Sequence, residues 1–188
     1  VLMHPGERVL LRVIGGGRDS HPFHTHGNHA RVIARDGRLL ESALGLGPDL
    51  AMDVFTINAI PGESVDAIFE WTGKGLGWDI YGTATAHSCT PGPDQHDPVT
   101  KEYCPDHMKP FPVTLPETQF TTVGPFYSGS PFMGSLGALP PGEGGLNPFG
   151  GFPFMWHSHN ERELVNFNLF PGGMLTMLII VPPGTPIP

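Results

Sequence analysis

Basic residues are scarce in this chain: Lys and Arg number 10 against 18 Asp and Glu, for a formal net charge of −8 with histidine neutral. That deficit excludes the clustered positive field that a nucleic-acid surface or a polybasic membrane patch requires. No apolar run approaches the roughly 18 residues of a membrane span, and no signal peptide opens the chain. The first residues already read as strand, with Glu7 to Ile14 following at once. The expectation is therefore a mature fragment or one piece of a longer polypeptide, and the missing leader carries no information. Cysteine is nearly absent as well: the 2 residues present, Cys89 and Cys104, sit in a Pro- and Asp-rich loop. A disulfide between them would close a ring of about 15 residues, contribute about 3 kcal/mol in the loop-entropy picture, and imply an oxidising compartment. Free thiols, or an accessory metal site drawing on the nearby His87, His96, His107 and Met108, are the other open readings.

What is present points to a β protein. The 188 residues are 39% hydrophobic, enough for a single domain over 1–188 with its own core. Gly 26 and Pro 22 make up about a quarter of the chain, which works against long helices and favours short strands joined by turns. Alternation places Val9, Leu11 and Val13 on one face of a strand, and Ala30, Val32 and Ala34 alternate with Arg31, Ile33 and Arg35 ahead of an Asp36-Gly37 turn. A run from Met52 to Ile60 stops at Pro61-Gly62 and leads to the alternating stretch Ser64 to Phe69, which reads as a hairpin. The pattern then dissolves over about 90–151 into a Pro/Gly-rich irregular insertion. Order returns at Phe152 to His159 and closes on Met174 to Val181, apolar on both faces. There is no internal repeat. The expected fold class is all-β, a sandwich of antiparallel strands.

Histidine carries the chemical signal. Of 10 in the chain, most of the informative ones fall in HPFHTHG (residues 21–27) and WHSHNERE (residues 156–163). Each segment contains His-x-His. On a strand alternate side chains share a face, so His24 pairs with His26 while Thr25 turns aside, and His157 pairs with His159 while Ser158 is opposed. If the two strands are neighbours, their imidazoles converge. Neutral imidazoles held on a rigid sheet suit copper or zinc.

The segment HPFHTHGNHARVIARDG resembles the third copper motif of multicopper oxidases, PGESVDAIFEW resembles the strand that follows it, and WHSHNERELVNFNLFPGGM resembles a modified fourth motif. The resemblance as a whole covers about two thirds of the chain and spares the cysteine-containing insertion. The resemblance implies a Greek-key cupredoxin β-sandwich of the C-terminal type. It would make His24 a type 2 copper ligand and His26, His157 and His159 ligands of the type 3 pair. His21 matches a type 1 ligand position, but Ser158 stands where the family has the type 1 cysteine, and Glu163 where it has the next type 1 histidine. A serine hydroxyl is protonated near neutral pH and is a hard, poor donor, so no type 1 copper is expected.

The family draws the histidines of its trinuclear cluster from more than one domain. The resemblance therefore implies a partner cupredoxin domain or subunit, dioxygen as the oxidant, an electron donor that the chain does not identify, and a periplasmic or extracellular setting. The expected activity is that of an oxidase domain that works only with its partner. The HSHNE wording and the FPGGM ending are also similar to large bacterial multicopper proteins proposed to oxidise metal ions such as manganese. A non-catalytic copper-binding or structural cupredoxin stays open beside the oxidase. So does a cupin-type metal protein using His157, His159 and Glu163, although no histidine follows His159 to complete its second motif. A mononuclear zinc hydrolase fits less well, because catalytic zinc keeps three protein ligands and an open position. His4 and His29 read as exposed or hydrogen-bonded, Trp71 and Trp78 as cover for a core edge, and Met174, Met177 and Leu178 as core.

Overall fold

The computed structural model describes residues 1–77, 79–80, 87–109, 152–181 and 184–188. Most of the irregular insertion expected over about 90–151, from residue 110 onward, lies outside the described residues, as does Trp78. Among the described residues the regular structure is almost entirely β. The strands are β1 (Leu2–Met3), β2 (Arg8–Ile14), β3 (His21–Thr25), β4 (Ala30–Arg35), β5 (Arg38–Leu39), β6 (Met52–Val54), β7 (Thr56–Ala59), β8 (Ser64–Glu70), β9 (Phe152–Ser158) and β10 (Leu175–Ile180), with short 3-10 turns at Cys104–Asp106 and Glu161–Leu164. The strands form two sheets, ordered β1-β10-β9-β3-β7 and β2-β8-β4-β5, with β6 also paired to β4. The all-β expectation holds. Two compact units share these strands: Val1–Glu7 with Trp71–Phe154 and Leu178–Pro188, and Arg8–Glu70 with Met155–Met177.

The second unit is two β layers on a shared core. Period-two alternation buries Ala30, Val32 and Ala34 on β4 and Val65, Ala67 and Phe69 on β8, while Arg31 between them stays exposed. From the other layer Ile57 of β7 packs into the same cluster, with Leu11, Val13, Leu40 and Val54 at its margin. Phe69 meets Trp156 of β9 edge to face, with centroids 4.9 Å apart. The Asp36-Gly37 turn forms as read: both residues take positive φ, 48° and 73°, and the flanking pairs Arg35↔Arg38 and Ala34↔Leu39 close a tight hairpin.

The hairpin expected between the Met52–Ile60 run and Ser64–Phe69 does not form. β6 pairs with β4, β7 with β3, and β8 with β2 and β4, so the chain at Pro61-Gly62 crosses from one sheet to the other. The apolar faces of β7 and β8 meet across the core instead of lying side by side. This corner is held by Gly15, whose N–H donates to the Glu63 carbonyl (2.9 Å) and whose carbonyl accepts from Gly62 N–H (3.0 Å). A Cβ at Gly15 would come within 1.8 Å of the Ile60 carbonyl oxygen, so only glycine fits.

In the first unit β1 runs parallel to the end of β10, matching Leu2 with Ile179 and Met3 with Ile180. Met3, Leu178, Ile180 and Val181 are buried there, and Trp71 is enclosed rather than at an edge, with its ring 5.9 Å from that of Phe154. Cys89 and Cys104 form a disulfide, which removes both from the free-thiol and thiolate-ligand readings.

Truncating Phe69, fully buried between the layers of the second unit, to alanine is expected to cost about 3–5 kcal/mol. Urea unfolding of F69A against the parent measures it, and a loss under about 1 kcal/mol contradicts this packing.

Candidate metal centre

All the residues of this site lie in the second unit. β3 is central there, antiparallel to β7 on one side and to β9 on the other. The β3–β9 register sets Phe23 opposite Ser158, His24 opposite His157 and Thr25 opposite Trp156. Opposed residues in a ladder share a face. One face of the pair therefore carries Phe23, Thr25, Trp156 and Ser158 inward: Thr25, Trp156 and Ser158 are 0–2% exposed, and the Phe23 ring lies 6.1 Å from Trp156, edge to face. The other face carries His24 and His157.

His26 and His159 lie just beyond the ends of β3 and β9, and backbone hydrogen bonds keep them at the sheet. His26 N–H donates to the Met155 carbonyl (3.1 Å), Trp156 Nε1 donates to the His26 carbonyl (3.2 Å), and His159 N–H donates to the Pro22 carbonyl (2.8 Å). The result is a nest of rings. His24 lies 4.8 Å from His26, 5.4 Å from His157 and 4.9 Å from His159, centroid to centroid, and His157 lies 5.0 Å from His26 and 5.8 Å from His159. One nitrogen from each of His24, His26 and His157 falls within a 4.8 Å span. His24 and His157 are buried, His26 is half-buried and His159 is exposed.

Hydrogen bonds behind the rings decide which nitrogens face inward. His24 Nδ1 is 3.0 Å from Thr56 Oγ1 on β7, and His157 Nδ1 is 2.7 Å from the Ser158 carbonyl, which accepts a hydrogen bond from it. Nε2 is then the ligand atom each ring has to offer. His157 Nε2 and His26 Nε2 face each other at 3.1 Å, so at most one of them carries the hydrogen between them. Burial, and then the charges of His159 and His157, lower the His24 pKa against a smaller opposing effect of the Phe55 backbone. The neutral ring, the form that ligates metal, is favoured. Thr56 was not singled out from the sequence, because nothing local shows that β7 is β3's neighbour.

A second convergence lies beside the first, from the opposite face. Ser158 Oγ donates to Glu163 Oε2, Asn160 N–H donates to Ser158 Oγ (3.1 Å), and Asn160 Nδ2 donates to Glu163 Oε1 (3.0 Å). His21 Nδ1 sits 3.1 Å from Glu163 Oε2, an ion-pair distance that is off the line of a good hydrogen bond. The three positions matched to a type 1 site, 21, 158 and 163, thus meet through a carboxylate. Glu163 is not a member of the imidazole group, contrary to the cupin reading. Partial burial raises its pKa, but the contacts with Ser158, His21 and Asn160 outweigh that and leave it below the ordinary carboxylate value. His4, with Glu7 and the Thr185 carbonyl each 2.9 Å from a ring nitrogen, is hydrogen-bonded as expected.

No model of a known protein family and no curated protein matches the chain. Two solved structures resemble it. One is a blue copper oxidase from Nitrosomonas europaea, at 17% identity and a TM-score of 0.45, covering 96% of this chain and 30% of that one. The other is the multicopper oxidase mgLAC, at 16% identity and a TM-score of 0.46, covering 100% of this chain and 32% of that one. The chain spans less than a third of the length of either structure. No described helix is long and apolar enough to cross a membrane.

Because the folded Glu163 pKa is depressed, its stabilisation is present above the unfolded value of about 4.3 and is lost as pH falls through the lower folded value. The difference in urea midpoint between the parent and E163Q should therefore be largest near neutrality and shrink in acid. A difference unchanged down to about pH 3 would show that the ionised carboxylate does not hold this network.

Proposed function

We propose that this chain is a Greek-key cupredoxin domain of a multicopper oxidase, over 1–188 as a single domain. In this reading His24, His26, His157 and His159 supply one half of an interdomain copper cluster of type 2 and type 3 centres. The observation that carries the reading is the β3–β9 register, which places His24 directly opposite His157 and gathers both His-x-His pairs on one face. The donor set fits copper. It is all imidazole, burial biases His24 toward the neutral form, and hydrogen bonds at Nδ1 orient the His24 and His157 rings. Copper held there would supply the one-electron steps through which dioxygen is reduced to water.

The chain's own residues have defined tasks. Thr56 and the Ser158 carbonyl hold His24 and His157 by Nδ1 and aim Nε2 at the cluster. Thr25 and Trp156 anchor the same strands in the core, so the ligands need little reorganisation. The exposed edge at His159 is where a second cupredoxin domain or subunit would add its histidines. With Ser158 in place of a thiolate and its hydroxyl committed to Glu163, no blue centre forms here, and electrons reach the cluster from a donor bound elsewhere. The Cys89–Cys104 disulfide supports a periplasmic or extracellular location.

Metal analysis with electron paramagnetic resonance tests this. The assembled protein should hold copper without the narrow-hyperfine blue signal. H157A/H159A should lose copper affinity by more than about 100-fold and T56V by about 10–100-fold, the range for a hydrogen bond behind a ligand. H4A should leave copper unchanged. A blue spectrum from this chain alone, or equal loss in H4A and H157A/H159A, would refute the reading.

A further inference from the structure

The first unit contains a second group of metal-ligating side chains, unconnected with the imidazole face. Between residues 87 and 109 the chain is mostly turns, and its buried residues are three carboxylates: Asp97, Glu102 and Asp106. An interior of carboxylates in place of apolar side chains must be stabilised by polar partners, and two of the three have conventional ones. Asp97 accepts from the backbone N–H groups of Thr90, Val99 and Thr100, which bring its pKa down to about 2. Asp106 accepts from Gly77 N–H and Lys109 Nζ.

Glu102 is different. It is fully buried, no Lys or Arg among the described residues reaches it, and its carboxylate faces two imidazoles: His87 Nε2 at 2.9 Å from Oε2 and His107 Nδ1 at 3.1 Å from Oε1. A second fully buried carboxylate, Asp79, points to the same place, with Oδ2 lying 3.4 Å from His87 Nε2 and 3.5 Å from His107 Nδ1. Oδ2 also accepts from Met108 N–H at 2.9 Å. One donor atom from each of the four falls within a 4.8 Å span. Two carboxylates with no exposure to water and two imidazoles thus converge on one point.

We propose that Asp79, His87, Glu102 and His107 form a structural divalent-cation site of zinc type. Bonds of about 2.0–2.1 Å in a tetrahedron separate neighbouring donors by about 3.3 Å; the two ring nitrogens lie 3.4 and 3.5 Å from Asp79 Oδ2, and 2.9 and 3.1 Å from Glu102 Oε2 and Oε1 respectively. Four protein ligands and side-chain exposures of 0, 0, 18 and 23% describe a closed site, as in structural rather than catalytic zinc. The mixed nitrogen and oxygen donors, with both sulfurs locked in the disulfide, disfavour copper(I). The 3-10 turn at Cys104–Asp106 brings Glu102 and His107 together, and the disulfide through Cys89 holds His87 against them. Cation and disulfide would then do for this segment what an apolar core does elsewhere.

Zinc titration of the chelator-treated full chain by calorimetry, with metal counted by mass spectrometry, tests the proposal. The parent should bind a zinc ion that H157A/H159A retains and H87A/H107A loses, whatever further zinc the imidazole face takes up. E102Q, nearly isosteric and therefore expected to fold, should bind that ion at least about 100-fold more weakly, since it removes a charged ligand outright. X-ray absorption at the zinc edge of the parent should show nitrogen and oxygen neighbours at about 2.0–2.1 Å and no sulfur. The proposal falls if the parent takes up no zinc, if E102Q binds like the parent, or if all zinc binding disappears in H157A/H159A. None of these outcomes bears on copper at His24 and His157, so the two sites are judged separately.

Discussion

The antiparallel pairing of β3 with β9, with His24 opposite His157, is the constraint on which the second unit's chemistry depends. Strand alternation makes a single register serve two ends. Thr25, Trp156 and Ser158 are driven into the interior, and the same pleat turns the imidazoles to the opposite face. A slip of one residue would exchange the faces, turning the imidazoles into the apolar core and Trp156 out of it. The hydrophobic effect thus stabilises an arrangement of imidazoles to which it contributes no ring. Thr56 matters for the same reason, since it reaches His24 only because β7 flanks β3 on its other edge.

Ser158 belongs to the core face, yet its hydroxyl is polar and has no exposure to water. Glu163 resolves this by accepting its hydrogen, with Asn160 and His21 completing the carboxylate's surroundings. A buried polar group leaves few alternatives to such pairing. Positions 21, 158 and 163 therefore meet at one carboxylate, Ser158 by a hydrogen bond and His21 at an ion-pair distance. This network sits on the reverse of the strand from the imidazole nest.

Residues 87–109 keep their interior by different means from the second unit. Arg8–Glu70 with Met155–Met177 relies on interdigitated apolar side chains such as Val32, Ile57, Ala67 and Phe69. Residues 87–109 of the other unit rely on a disulfide, an aspartate-centred turn and a cluster of carboxylates with imidazoles. Short segments rich in Pro and Asp bury too little apolar surface to hold shape unaided, and crosslinks or ions substitute for it.

Local pattern was enough to read much of this protein. Period-two alternation identified β2, β4 and β8, the Asp36-Gly37 turn was legible from its residue types, and the two His-x-His pairs named every ring that now shares the nest. These features depend on neighbours along the chain, where side-chain direction follows from spacing alone. What spacing cannot convey is which strand lies beside which. The supposed hairpin at Pro61-Gly62 is a crossing between sheets: β7 pairs with β3 and β8 with β2 and β4, so Ile57 of β7 meets Val65 and Ala67 of β8 in one core. Asp79 and Glu102 went unnoticed beside His87 and His107, since an acidic residue in a polar loop looks solvated until the fold removes its water. The sequence determined strand identity and ligand chemistry; the tertiary structure alone decided pairing, register and burial, because those are set by long-range packing.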